Sequence, residues 1–245
     1  MSKKIVLVSG ATGNQGSALV RALLQHGGYH IRALTRDTQS DAATSLAEKG
    51  VDVVPGQLSD KDSLLKACQG VYAAFGVSIP STGPGIADEK VQGRNLVDAC
   101  KANNVELLVW SSVPGCKDTS HGRFAVPVFD DKAEVEKYIK IVDQPAIVIH
   151  LGAFTGILLT MGALKRDNHD HSKFHAVIPF VAPDSRQPYT YVEEDLGPAV
   201  VALINKWEDA TWRRELSKSP IPLVSYDATG REVADTLAKG DRKGR

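Results

Sequence analysis

Sulfur is scarce in this chain. Only Cys68, Cys100 and Cys116 occur in 245 residues, and none forms a CxxC pair. An odd, scattered set of thiols excludes a disulfide framework and predicts a reducing, cytoplasmic setting. An excess of either charge is also missing, since 29 Lys and Arg balance 29 Asp and Glu. That balance gives no global polyanion-binding surface, so no direct nucleic-acid partner is expected. Long apolar runs are lacking as well. The nearest approach, Ala146–Leu164, carries no Asp, Glu, Lys or Arg, but Gly152, Gly156, Gly162, Thr155, Thr160 and His150 dilute it. It reads as a strand followed by a buried turn or helix, so no membrane partner is expected. Ile5–Val8 is too short for a signal-peptide core. No GxSxG elbow occurs, which removes the hydrolase reading. His169, His171 and His175 lie close together in RDNHDHSKFH. A polar loop gives them no fixed geometry, and no metal is expected.

What is present is a rhythm. Short β-branched runs alternate with helical patterns through the first two-thirds of the chain. Strands are predicted at Lys4–Ser9, His30–Thr35, Asp52–Val54, Gly70–Phe75, Leu107–Ser111 and Ala146–Leu151. They are continuous apolar runs, as expected of strands covered on both faces. Helices are predicted at Gln15–His26, Ala42–Glu48, Asp60–Ala67, Asp88–Asn103 and Asp131–Ile141. Alternation of this kind demands right-handed parallel crossovers. The fold class is therefore α/β, a Rossmann-type doubly wound parallel sheet. After Thr160 the rhythm fails, and prolines punctuate loops around a helix Glu194–Asn205 and a strand Ile221–Val224. Residues 1–155 read as a dinucleotide-binding core, and residues 156–245 as a small substrate-side annex packed on it.

Gly10-Ala11-Thr12-Gly13-Asn14-Gln15-Gly16 joins the first strand to the first helix. Gly10 lets the chain turn, Gly13 keeps the backbone bare for a pyrophosphate, and Gly16 permits close helix–strand packing. The helix N-terminus then offers free N–H groups and partial positive charge. The spacing is GxxGxxG, and its place at the first βα junction gives it meaning. The second strand ends in Arg36. An arginine there pairs with a 2′-phosphate, where an acid would bind the ribose of NAD. NADP(H) is therefore favoured, with Asp37 next door as the counter-signal.

These pieces together resemble the NmrA-like family, an atypical branch of the short-chain dehydrogenase/reductase superfamily. The matching segments are Val8–Gly16 (VSGATGNQG), Arg32–Asp37 (RALTRD), Gly50–Gly56 (GVDVVPG), Gln92–Leu96 (QGRNL), Phe129–Tyr138 (FDDKAEVEKY) and Asp195–Val200 (DLGPAV). The resemblance implies NADP(H) along the C-terminal edge of the sheet. It places the phosphates on Gly10, Thr12, Gly13, Asn14 and Gln15, with Gly16 completing the loop. It places the 2′-phosphate on Arg36, near Thr38 to Ser40, and the adenine side on Gln57 and Leu58. Gly76, Val77 and Ser78 fall near the cofactor's middle, and Lys132, Phe154 and Thr155 near the nicotinamide. This chain departs from the family at Phe154-Thr155-Gly156-Ile157, where relatives carry an aromatic pair, an acid and Asn. Relatives also continue past the C-terminus with more helix, which implies a minimal annex and an open cleft here.

Typical short-chain reductases use Tyr-xxx-Lys, in which the lysine lowers the tyrosine pKa. The lysine is present as Lys132, the candidate catalytic residue. Four residues earlier stands Val128, and no other Tyr-xxx-Lys pair occurs. Two functions follow. One is an NADPH-dependent reductase of a small carbonyl or quinone, with Trp110, Phe154 and Tyr191 as candidate lining. The other is a non-catalytic redox sensor or co-regulator that acts through a protein partner. Ser111 and Ser112 are candidates to bond a substrate oxygen or the ribose, against the plainer reading of a strand-end turn. Either function is compatible with an oligomer.

Overall fold

The computed structural model describes residues 2–81, 85–156, 164–170, 173–177 and 182–241. Six parallel strands come first: β1 (Ile5–Val8), β2 (His30–Thr35), β3 (Asp52–Pro55), β4 (Val71–Gly76), β5 (Leu107–Ser112) and β6 (Ala146–Leu151). Between them run α1 (Asn14–His26), α2 (Asp41–Glu48), α3 (Lys61–Ala67), α4 (Glu89–Ala102), the short α5 (Cys116–Thr119) and α6 (Pro127–Ile141). The predicted strands and helices are all there. The one large shift is at α6, which starts a turn before Asp131. Pro127 sits in its first turn, where the missing N–H is no loss.

The annex contributes β7 (Ala153–Phe154), β8 (Leu164–Arg166), β9 (Phe174–Ala176), β10 (Arg186–Thr190), β11 (Ile221–Leu223) and β12 (Tyr226–Thr229). A π-turn at Val192–Leu196 leads into α7 (Gly197–Lys206), followed by α8 (Ala210–Leu216) and α9 (Gly230–Asp241). The main sheet runs β11-β6-β5-β4-β1-β2-β3. All its neighbours are parallel. The strand order therefore reverses between β1 and β4, and that is where open α/β sheets place their ligands.

Two apolar layers cover this sheet. On one face α1 and α7 bury Val6, Val8, Ala33, Phe75 and Ile149. On the other, Leu64, Leu96 and Val135 from α3, α4 and α6 cover Leu7, Leu34, Leu108 and Trp110. Residues beyond 155 also contribute to the main layers. Ile221–Leu223 pairs with Ile149–Leu151 as a seventh strand of the main sheet, and α7 packs on α1. The chain leaves the Rossmann layers after β6 and comes back to them. The smaller sheet β12-β10-β7 and the β8–β9 hairpin stand apart from the main sheet.

The contact of α7 with α1 depends on Gly197. A Cβ there would lie 2.7 Å from Ala22 Cβ and 3.1 Å from the Ala18 carbonyl carbon. Gly197→Ala is expected to lower unfolding free energy by about 1–3 kcal/mol, the usual effect of overpacking. Urea unfolding of the two proteins checks this. Among the described residues no helix is long and apolar enough to cross a membrane. Of the uncharged stretch Ala146–Leu164, the first part is β6 and β7, and residues 157–163 lie outside the described residues.

Candidate functional site

The loop after β1 is shaped by its glycines. Gly10 has a φ of 59°, a left-handed conformation that side chains disfavour, and its carbonyl accepts from Gly13 N at 2.9 Å. Gly16 is the tightest position. A Cβ there would lie 2.6 Å from the Gly10 carbonyl carbon and 2.7 Å from Ala11 Cα. The helix that follows has no side-chain cap at Gly13. By contrast α2, α3 and α4 are capped by Ser40, Asp60 and Asp88. The first-turn amides of α1 are thus left to whatever enters the cleft.

That cleft measures about 580 Å³ and follows the switch point. Of the residues expected at the site, Gly10, Thr12, Gly13, Asn14, Gln15, Gly16, Arg36, Gln57, Leu58, Val77, Ser78 and Phe154 all border it. Gly76, Lys132 and Thr155 do not. Gly76 lies beneath the cleft, where a Cβ would meet Leu96 and Trp110 at 2.7 and 2.8 Å. Thr155 Oγ1 donates to the Thr190 carbonyl at 3.5 Å. The floor is braced by Ser9, fully buried, whose Oγ accepts from Val77 N at 3.0 Å. Gln15 is braced too, because Ser111 Oγ donates to its Oε1 at 2.7 Å.

This last bond corrects the reading of Ser111 and Ser112 as substrate contacts. Both are buried, and both hydroxyls are used internally, Ser112 by Glu136. Glu136 also holds His150 Nε2 at 2.9 Å. Trp110 is corrected likewise. It is fully buried under α4 and α6, and its indole N–H points to the Lys132 carbonyl at 3.4 Å. Of the histidines, His175 pairs with Asp167 at 2.7 Å, and His171 lies outside the described residues.

At the other end of the cleft two arginines leave β2 with different fates. Arg32 pairs with Asp52 at 2.8 Å and donates to the carbonyls of Ala67 and Gln69. Arg36 is exposed, and no hydrogen bond or ion pair to another described residue holds it. The neighbouring acid, Asp37, is folded into its own turn. Its Oδ1 accepts from Gln39 N at 2.9 Å and its carbonyl accepts from Ser40 Oγ at 3.1 Å. Asp37 nevertheless borders the same cleft, so the counter-signal read in the sequence keeps its place beside Arg36.

Lys132 approaches from α6. Its ammonium donates to Glu89 Oε1 and lies 3.3 Å from Ser78 Oγ. The lysine side chain is 14% exposed and the glutamate side chain fully buried. Burial pushes the Lys132 ammonium down to about 8. Ser78 Oγ donates to the same Glu89 oxygen at 2.7 Å. Beside it, Gln92 clamps the loop after β4. Its Oε1 accepts from Ile79 N at 3.1 Å, and its Nε2 donates to the carbonyls of Ile79 and Ala87 at 2.9 and 2.8 Å. Ile79 and Ile86 give that side of the cleft an apolar wall.

Glu89, Ile79 and Ile86 are residues that sequence reasoning missed. For Glu89 a signal was available. It stands three residues before Gln92 and seven before Leu96, on the inward stripe of α4, where a charge is out of place.

A family model for the NmrA-like family matches residues 2–243. The NmrA-like family domain-containing oxidoreductase lnaB of Aspergillus flavus is 29% identical over 256 residues, covering 99% of this chain and 75% of that protein. Among solved structures, NmrA, a negative transcriptional regulator, in complex with NADP superposes with a TM-score of 0.81 at 22% identity. That match covers 99% of this chain and 72% of NmrA, which has also been solved with NAD. The NADPH-dependent quinone oxidoreductase QOR2 of Escherichia coli, complexed with NADPH, superposes at 0.67 and 20% identity, covering 96% and 75% of the two chains. At these identities the structural likenesses establish the fold.

Proposed function

The chain belongs to the NmrA-like family, and on that premise we propose that it is an NADP(H)-binding reductase of a small carbonyl or quinone. The observation that carries the cofactor assignment is Arg36, exposed at the cleft edge and without a partner among the described residues. The glycine cradle fits the same group, because the loop is bare where a pyrophosphate needs it to be. Gly10, Thr12, Gly13, Asn14 and Gln15, with Gly16 behind them, would hold the pyrophosphate. Arg36 would hold the 2′-phosphate, and Gln57 and Leu58 would border the adenine. Val77, Ser78 and Phe154 would border the ribose and nicotinamide. A bound NADPH supplies a hydride.

The residues of this chain orient the substrate and exclude water. Ile79, Ile86 and Phe154 offer apolar surface to a flat substrate. Lys132 stands ready behind Ser78 with a proton. Val128 stands where the superfamily has its tyrosine, so no phenol precedes Lys132 at that spacing.

That same valine favours the second reading, a sensor that binds NADP(H) and passes its state to a protein partner. Turnover separates the two. A reductase consumes NADPH with some member of a quinone and carbonyl panel, and a sensor binds it without loss.

Cofactor preference is tested by calorimetric titration with NADPH, NADP, NADH and NAD. Losing Arg36 to alanine is expected to weaken NADPH about tenfold or more, since a charge-assisted pair contributes about 1.5–3 kcal/mol. NADH binding should stay where it was. Equal affinity for all four ligands, unmoved by Arg36→Ala, would remove the 2′-phosphate assignment.

A further inference from the structure

Glu89 is an expensive residue to keep where it is. Its side chain is fully buried at the start of α4, and its Oε2 has no hydrogen-bond partner. A buried carboxylate oxygen left unsatisfied opposes folding, and an apolar residue would fill the space at less cost. Its other oxygen is crowded, taking both the Lys132 ammonium and the Ser78 hydroxyl. Ser78 in turn borders the cleft. The three groups form a short path from a buried acid to the cleft wall.

We propose that Glu89 is the positioning residue of this site, holding Lys132 protonated and aimed at Ser78 so that the lysine acts as proton donor through it. The donor role rests on the reductase reading, and the hold on Lys132 does not. During reduction of a carbonyl by hydride from a reduced nicotinamide, the product O–H bond forms as the Ser78 O–H bond breaks, and Ser78 Oγ takes its replacement proton from Lys132, 3.3 Å behind it. The neutral amine then regains its proton from water, and Glu89 keeps its charge throughout. Burial alone drives the ammonium toward its neutral form, and the adjacent carboxylate opposes that drive.

The other charges packed around Lys132 are already engaged. On α4, Lys90 pairs with Asp131 at 3.3 Å and Asp88 at 3.7 Å. On α6, Asp130 accepts from the backbone of Lys117 and Val126, and Glu136 is held by Ser112 and His150. On α5, Asp118 pairs with Lys137 at 2.9 Å. Glu89 is the acid that contacts Lys132.

The test reads the lysine directly. Protein labelled with carbon-13 at lysine Cε is titrated by NMR, and the Lys132 signal is assigned by its loss in Lys132→Met. Glu89→Gln keeps the shape and removes the charge. It is expected to lower the Lys132 midpoint by about one pH unit or more, a tenfold change in proton affinity. Glu89→Asp retracts the charge by one methylene and should give a midpoint between the two. A midpoint equal to wild type in Glu89→Gln overturns the proposal, because Glu89 is then a neutral packing partner. If a quinone or carbonyl is turned over, the alkaline limb of kcat should move to lower pH in Glu89→Gln, with KM for NADPH unchanged. A shifted midpoint with an unmoved limb overturns the donor role. NADPH binding without any turnover overturns the reductase reading, while the titration still decides the hold on Lys132.

Discussion

Gly16→Ala is expected to weaken NADP(H) binding by about ten- to a hundredfold, on the scale of the 1–3 kcal/mol that overpacking costs. The added methyl has nowhere to go. Its neighbours, the Gly10 carbonyl and Ala11 Cα, are backbone atoms that no rotamer change can move aside. Relief comes only from lifting the loop off α1, and the lifted loop is the surface proposed to meet the pyrophosphate. Gly27→Ala is the matched control. Gly27 closes the other end of α1 with a φ of 68°, and a Cβ there meets nothing within 4 Å. That variant should lose stability through backbone strain and keep its affinity. Calorimetry and thermal melting of both variants separate the two effects. Unchanged affinity in Gly16→Ala would mean that the cleft binds its ligand without this loop.

Much of the fold was legible because it is local. β2 and β6 fall at the predicted residues, since a β-branched run between turn signals is enough to define a buried strand. Helix starts were legible where a cap is written in the sequence, as at Asp60 and Asp88. The start of α6 was hidden because Val126 gives no side-chain cap and Pro127 resembles a loop residue. The membership of β11 in the main sheet was hidden for a different reason. Only pairing with β6, some seventy residues earlier in the chain, distinguishes it from an annex strand.

The site divides in the same way. The glycine loop and Arg36 are contiguous signals with a known geometry. Ser111 and Ser112 looked open at a strand end, but their partners, Gln15 and Glu136, are supplied by α1 and α6. The turn that engages one oxygen of Asp37 through Gln39 N was not written in the sequence. Glu89 and Lys132 meet across 43 positions of sequence, and neither residue predicts the other.

Lys132→Met tests that meeting energetically. Removing one partner of a buried pair leaves the other charge uncompensated and costs about 3–5 kcal/mol. For a domain with about 5–15 kcal/mol of total stability, that is a large share. Glu89 would be left with Ser78 for one oxygen and nothing for the other. The double variant Glu89→Met, Lys132→Met removes both charges, and it is expected to recover most or all of the loss. Urea unfolding of wild type, both single variants and the double variant closes the cycle, with m-values checked for constancy. A coupling near zero would mean that the proton sits on the carboxyl and the pair is neutral, which is the state the Lys132 titration would report independently. A coupling of several kcal/mol, with a double variant as stable as wild type, would show that folding does not require the pair. Its retention beside the cleft would then have to be explained by what Lys132 does for a ligand.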